Sequence, residues 1–257
     1  MSRFNNLEMN NEFENFSSAE TVLKDEAFYM KEAQAAFERG RFEPALRSFA
    51  RVLEHNPQNA AAWTGQVRML IELAEFHEAR LWADKALEQF PKEPELLAAK
   101  AVALGRLGDL KSALAFSDAS VEERGNTPYI WLARGDVLLA RKEKMADYCF
   151  EKAFLAAPLD WTVAWLASRI HLFYQKFSIA LKMAQRAMSL NTSLAVIWLQ
   201  MARCQLAVGL PDIATHSFEQ ARELDPQSTE AEKGLREISN LGFWSRINAF
   251  WHQMFQR

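Results

Sequence analysis

Two adjacent stretches of the chain decide its fold, EAFYMKEAQAAFERGRFEPALRSFARVLEHNPQN at 26–59 and AAAWTGQVRMLIELAEFHEARLWADKALEQFPKE at 60–93. They superimpose without a gap, which defines a period of 34 residues. Four further copies follow at 94–127, 128–160, 162–194 and 195–228. A fixed period of about 20 to 50 residues is typical of solenoid proteins, in which each copy is one supersecondary unit.

Equivalent positions in the six copies carry the same residue type. A bulky residue opens the first half of each copy, at Tyr29, Trp63, Leu97, Trp131, Trp165 and Trp198. An alanine stands early in each second half, at Ala45, Ala79, Ala113, Ala146, Ala180 and Ala214. Apolar residues at i, i+3, i+4 and i+7 in both halves predict amphipathic helices, and an alanine where two helices cross lets their backbones approach closely. Each copy is therefore predicted to be two antiparallel helices.

In this pattern the chain resembles the tetratricopeptide repeat family, whose unit has a Trp-like residue, a small residue, Ala, Phe, Ala and Pro within 34 residues. Six units, covering residues 26–228, carry the resemblance. It implies an all-α fold, namely a right-handed superhelical solenoid of antiparallel helix pairs. Arg169 departs from the pattern, because the family usually has a small residue at that position.

The segments outside the six units differ from them and from each other. Residues 1–25 are polar and are predicted to be a tail or an irregular N-terminal cap. Residues 229–241 have apolar side chains at helical spacing and suit the covering helix that the last pair of a solenoid needs. Residues 242–257, GFWSRINAFWHQMFQR, lie outside the repeat register and predict a separate amphipathic helix. Its apolar side chains fall within an arc of about 140° on a helical wheel: Phe243, Trp244, Ile247, Phe250, Trp251, Met254 and Phe255.

Five aromatic rings in this last segment predict that it is buried against something, because each ring can bury about 150–250 Å². Three destinations remain open. The first is its own solenoid, where the helix would pack on the last repeat or in the apolar half of the groove. The second is another protein, which includes a second copy of this chain. The third destination is a membrane surface, for which Arg246 and Arg257 supply few cations.

Composition and motifs argue against several classes of function. The 257 residues have a formal net charge of −3, which lacks the basic character of nucleic-acid-binding proteins. Cys149 and Cys204 belong to no CxxC motif, and the five histidines form no HExxH motif, so no metal site, cofactor site or catalytic group is predicted. The N-terminus lacks the pattern of a secretory signal, which favours a cytoplasmic location, with a position peripheral to a membrane as the alternative.

The family resemblance implies a binding scaffold with a concave groove, which the first helix of each pair lines. The groove residues expected to contact a partner are Arg68, Val102, Arg106, Tyr129, Leu132, Asp136, Ile170, Phe173, Tyr174, Leu199 and Arg203. We therefore expect a non-catalytic protein–protein interaction scaffold or adaptor for complex assembly, which binds an apolar or amphipathic peptide or helix. The alternative is a peripheral membrane or oligomeric assembly factor that the C-terminal aromatic helix anchors.

One function of the family is not expected for this chain. Members that grip the acidic tails of heat-shock chaperones use Lys, Asn, Asn, Lys and Arg at fixed groove positions. The corresponding positions of the first three units hold Met30, Gln34, Gly65, Glu95 and Ala99. Because none of these side chains is basic, a clamp for a terminal carboxylate is not predicted there.

Overall fold

The computed structural model of the chain describes residues 25–123 and 125–240. Over this part the chain is helical throughout and contains no strand, which confirms the predicted all-α class. The first twelve helices are α1 (Glu26–Glu38), α2 (Phe42–His55), α3 (Ala60–Glu72), α4 (Phe76–Gln89), α5 (Pro94–Arg106), α6 (Leu110–Glu122), α7 (Pro128–Ala140), α8 (Ala146–Ala156), α9 (Trp161–Phe173), α10 (Phe177–Leu190), α11 (Ala195–Ala207) and α12 (Pro211–Leu224). A further helix, α13, runs over 229–240, up to the last described residue. The predicted contact residues of 242–257 lie outside the described part, as does most of the predicted tail at 1–25.

Short polar side chains begin several of the helices. The Asn59 side chain accepts a hydrogen bond from the Ala62 N–H at 2.8 Å and caps α3. Asp160 caps α9 in the same way, so that this helix begins at Trp161, one residue before the predicted start of the fifth copy. Such bonds satisfy amides that the first turn of a helix leaves without a partner.

The turn within each helix pair contains one residue in the left-handed conformation. These residues are Gly40, Ala74, Gly108, Lys142, Gln175 and Gly209. In the first pair the Gly40 N–H donates to the Phe37 carbonyl at 2.8 Å, and the Arg41 N–H donates to the Ala36 carbonyl at 2.9 Å. These bonds close the end of α1 and reverse the chain. Non-glycine residues adopt the same turn in three of the pairs, at a cost of about 1–2 kcal/mol each.

Consecutive helices pack side by side, and the odd-numbered helices face the axis of the superhelix while the even-numbered helices form the outer layer. The alanines predicted at the helix crossings are all buried, with Ala45, Ala79, Ala113, Ala180 and Ala214 at 0% exposure and Ala146 at 1%. Large aromatic rings fill the space next to small residues. A Cβ atom added to Gly65, for example, would lie 2.5 Å from the Phe49 ring, so only glycine fits there.

The superhelix closes on itself, because the first pair contacts the fifth and sixth pairs. Phe37 and Phe42 pack against Trp165 of α9, with ring centroids 5.5 and 6.0 Å apart. The turn at Gly40 approaches α11 so closely that a Cβ atom there would lie 2.6 Å from Val196 Cγ2. Trp165 is 1% exposed, so this contact is part of the hydrophobic core.

Ion pairs also join helices that are distant in sequence. The Arg169 guanidinium donates to Glu72 Oε2 at 2.6 Å and lies over the Phe42 ring, 4.7 Å from its centroid. Arg41 donates to Asp225 Oδ2 at 2.9 Å, which joins the first pair to the end of the sixth. The departure of Arg169 from the repeat pattern therefore has a structural reason. Its long side chain reaches across the groove to Glu72, which a small residue could not do.

Candidate functional site

Closure of the superhelix converts most of the predicted groove into a cavity of about 260 Å³ near the axis. All the predicted groove residues except Tyr174 and Leu199 line this axial cavity. Glu72, Leu166 and Gln200, which the repeat register also places on the groove face, line the cavity as well. The sequence did not identify Phe76 and Arg169 as site residues. Phe76, Glu72 and Arg169 belong to the contacts between the second and fifth pairs, and the closure of the superhelix brings Phe76 and Arg169 to the site.

Leu199 and Tyr174 do not line the axial cavity. Leu199 is buried in the core cluster that α11 and α12 form with Ala231 of α13. Tyr174 ends α9, and its ring faces a separate depression between the fourth and fifth pairs. Its hydroxyl nevertheless donates to Asp136 Oδ1 at 2.7 Å. Tyr174 therefore fixes the position of a side chain that lines the axial cavity, although Tyr174 does not line the cavity itself.

A buried ion pair forms one wall of the axial cavity. Arg106 binds Asp136 through two hydrogen bonds, at 3.0 Å to Oδ1 and 2.6 Å to Oδ2. Burial opposes the charge on Arg106, but Asp136 outweighs this effect and raises the arginine pKa. Burial, together with the Asp136 charge, also raises the pKa of Tyr174, so that its hydroxyl stays protonated as the donor. The network of Arg106, Asp136 and Tyr174 is therefore fixed and internally neutral at ordinary pH.

Aromatic side chains form the mouth of the axial cavity. Phe173 lies 3.5 Å below the Arg106 guanidinium and is 46% exposed. Phe76, from the start of α4, meets the Phe173 ring edge to face at 5.9 Å. An exposed ring beside a cationic group suits contact with an incoming apolar or aromatic side chain.

Arg68 and Tyr129 separate the axial cavity from a second cavity of about 210 Å³, which they also line. The Arg68 guanidinium lies 3.9 Å from the centroid of the Tyr129 ring and 3.8 Å from the Glu95 carboxylate. Beyond them, a wide depression of about 900 Å³ opens between the first three pairs and is lined by Met30, Lys31 and Gln34. The groove is therefore wide between the first three pairs and narrower around the axial cavity.

Two polar side chains of α11 complete the axial cavity. Arg203 donates to Glu230 Oε2 at 2.6 Å, which connects the cavity to α13. Gln200 is 1% exposed, and its amide nitrogen donates to Ser168 Oγ at 2.9 Å. The Gln200 carbonyl oxygen has no donor among the described residues. A buried acceptor without a donor costs about 1–3 kcal/mol.

The described part of the chain contains neither a metal-binding cluster nor a membrane-spanning helix. No cluster of three or more His, Cys, Asp or Glu side chains there could hold a metal ion. None of the helices over residues 25–123 and 125–240 combines the length and the apolar character that crossing a bilayer requires. Cys149 and Cys204 are both buried and free, and burial raises the pKa of each thiol.

Comparison with known proteins supports the repeat assignment. Residues 30–94 match the family model described as tetratricopeptide repeat. The BBSome complex member BBS4 of Bos taurus is 20% identical over 188 residues, which are 73% of this chain and 36% of that protein. The chain thus spans about a third of the length of this curated relative.

Solved structures with a similar fold are themselves helical-repeat proteins. Yeast Tom70 gives a TM-score of 0.54 at 17% identity, over 85% of this chain and 48% of that chain. The Cut9–Hcn1 hetero-tetramer of APC/C gives 0.50 at 15%, over 85% and 44%. A tetratricopeptide-repeat protein of Thermus thermophilus gives 0.50 at 16%, over 83% and 98%. At these identities the likeness establishes the fold alone, and it confirms the predicted solenoid of helix pairs.

Proposed function

We propose, since the chain is a solenoid of tetratricopeptide repeats, that it is a non-catalytic scaffold that holds a partner polypeptide through its axial cavity. The observation that carries the proposal is the convergence of the predicted groove residues on this one cavity. Its walls are apolar, with Leu132 at 2% and Leu166 at 7% exposure, and its charged groups are held in ion pairs. Ligand sites in proteins typically combine apolar walls with a few placed polar groups in this way.

The size of the axial cavity favours an extended segment over a helix. An α-helix with its side chains is about 10–12 Å wide, so that one turn of 5.4 Å occupies roughly 400–600 Å³. The cavity holds about 260 Å³. A cavity of this size takes one or two large apolar side chains, which an extended segment can insert. We therefore narrow the expected ligand from a peptide or helix to a short extended peptide with a large apolar side chain.

The wall and the mouth of the axial cavity suit an uncharged peptide. Phe173 at the mouth offers an exposed face to the side chain that follows. Because the charges of Arg106 and Asp136 already neutralise each other, the proposed ligand is uncharged where it meets this wall.

A role in the assembly of complexes is consistent with the relatives. The curated relative is named as a complex member, and one structural relative is a hetero-tetramer. Since the chain is only 20% identical to that curated relative and spans 36% of its length, no particular complex follows for this chain. The proposed scaffold role rests on the fold and on the axial cavity.

Selection of peptides tests the proposal directly. A phage-displayed library of random short peptides is selected against the full chain, and the affinities of enriched peptides are measured by fluorescence anisotropy. Ala133→Leu fills the axial cavity from α7, where Ala133 is 2% exposed. Ala115→Leu makes the same change on the exposed side of α6 and is the matched control.

We expect peptides with one bulky apolar residue to be enriched. Ala133→Leu is expected to weaken their binding at least about tenfold, which corresponds to about 1.4 kcal/mol, while Ala115→Leu leaves it unchanged. Peptides that bind Ala133→Leu as tightly as the natural chain would show that the axial cavity is not the binding site. Failure to enrich any peptide class would contradict the proposed role of the cavity.

A further inference from the structure

A row of exposed apolar side chains crosses the outer layer of the last three helix pairs. Met145, Ile179 and Ile213 each directly precede the alanine at a helix crossing, and they are 59%, 40% and 52% exposed. The same position in the first three pairs holds Pro44, Glu78 and Ser112. We call Met145, Ile179 and Ile213 the outer row. It begins at the fourth pair and ends at the sixth, next to α13.

We propose that residues 242–257 of this chain fold back from α13 and cover the outer row. This docking surface is separate from the axial cavity and does not depend on the function proposed for it. Three observations carry the inference: where the described chain ends, what the free face of α13 offers, and how far the segment can reach.

The chain leaves α13 beside one end of the outer row. A short loop after α12 leads into α13, and a Cβ atom added to Gly234 would lie 2.3 Å from the Phe218 ring. Ile238 of α13 packs in the same core cluster as Ala214 of α12. The two helices are therefore antiparallel neighbours, and the end of α13 lies beside the start of α12, where Ile213 is located. The following residues thus begin next to the outer row.

The face of α13 that points away from α12 offers the aromatic segment mainly charged side chains. It carries Glu232 and Arg236, which form an exposed ion pair at 3.0 Å. Lys233 and Glu237 on the same helix are exposed as well. Aromatic rings stacked on this face, as the next helix of a solenoid would stack, would desolvate these charges. The outer row is an exposed apolar surface near the end of α13 that matches the apolar side of the segment.

The segment is long enough to reach from one outer helix to the next. As the helix that its sequence pattern predicts, residues 242–257 would extend about 24 Å at 1.5 Å per residue. Helices in direct contact lie about 8–10 Å apart, and α11 packs between α10 and α12, so that the step between these two outer helices is at most about 20 Å. A helix that begins beside Ile213 therefore reaches Ile179, and its direction continues along the row towards Met145.

A depression beside Ile179 offers a place for one of the rings. It has a volume of about 450 Å³ between the turns of the fourth and fifth pairs, and Leu139 and His171 also line it. In the proposed arrangement a ring of Trp244 or Trp251 would fill this depression.

Hydrogen–deuterium exchange of the full chain tests the inference. The readout is the protection of amides 243–257 in the natural chain, in the double variant Ile179→Asp/Ile213→Asp, and in Leu81→Asp. Leu81 is 57% exposed on the outer helix of the second pair, outside the outer row, and is the matched control. Circular dichroism checks that each variant is folded. If the aspartate variant is not, the milder Ile179→Ser/Ile213→Ser replaces it.

We expect the exchange of amides 243–257 to be slowed at least about tenfold in the natural chain. Light scattering and a dilution series verify that the chain is a monomer under these conditions. The protection should persist in Leu81→Asp and be lost in the row variant. Unprotected amides in the natural monomer would overturn the inference, as would protection that the row variant retains. Protection only at concentrations that give a dimer would assign the segment to a second copy instead. Protection only with anionic phospholipid vesicles would assign it to a membrane surface.

Discussion

Phe42→Ala is expected to open the superhelix by removing one of the aromatic rings that join the first and fifth pairs. The Phe42 ring stacks on Trp165 at 6.0 Å, and Arg169 lies over it at 4.7 Å. Truncating a fully buried phenylalanine to alanine costs about 3–5 kcal/mol. Phe42 is half-buried, so we expect its truncation to cost about half of that free energy. We expect the free energy of unfolding to fall by about 2 kcal/mol and the radius of gyration to increase.

Phe177→Ala is the matched control for this experiment. Phe177 is the first residue of α10, as Phe42 is of α2, but it is 36% exposed and forms no aromatic pair within the described residues. Urea unfolding gives the change in stability of each variant, and small-angle X-ray scattering gives the radius of gyration. A loss of stability that is equal in Phe42→Ala and Phe177→Ala would refute the closure. So would an unchanged radius of gyration in Phe42→Ala together with no loss of stability.

Two further predictions concern charges at the groove and in the core. A double-mutant cycle of Arg169→Ala and Glu72→Ala should give a coupling energy of about 1–3 kcal/mol, measured by urea unfolding, because the partly buried pair shares a hydrogen bond of 2.6 Å. A coupling near zero would mean that the pair does not hold the groove closed. Burial lowers the pKa of His171 from 6.5 to about 4, so that below pH 6.5 the unfolded chain takes up a proton that the folded chain does not. The natural chain should therefore lose up to about 3 kcal/mol of stability more than His171→Gln as the pH falls from 6.5 to 4, and equal pH profiles of unfolding would contradict this.

Much of the fold could be predicted from the sequence because the same contacts recur in each helix pair and select the same residue types at equivalent positions. The alanine at the helix crossing is an example, since Ala79 and Ala180 occupy equivalent positions and are both fully buried. A period of 34 residues reports contacts within a pair and with its neighbours, and these contacts form most of the core of a solenoid. The direction in which the inner helices face follows from the same register. That is why most of the predicted groove residues, such as Val102 and Ile170, do meet in one cavity.

The closure of the superhelix could not be predicted in the same way. It depends on the small rotation between successive pairs, which adds up over the whole chain and leaves no periodic signal. Trp165 shows the difficulty, because it occupies the position of the bulky repeat residue but packs against Phe37 from another pair. Arg169 was visible as a departure from the pattern. Its partner Glu72 is 97 residues away and carries no mark in the sequence.

If the axial cavity binds the proposed peptide, the closure also influences which ligands it selects. On that proposal, a ligand as wide as a helix enters after the contacts of Phe42 and Arg169 with the opposite side have separated, and its apparent affinity is reduced in proportion to the population of that open state. If separation costs about 2–4 kcal/mol, the affinity for a helix is reduced roughly 30- to 1,000-fold. An extended peptide would avoid this cost because only a side chain has to enter the closed cavity. The contacts that complete the core would then also discriminate between the two kinds of ligand.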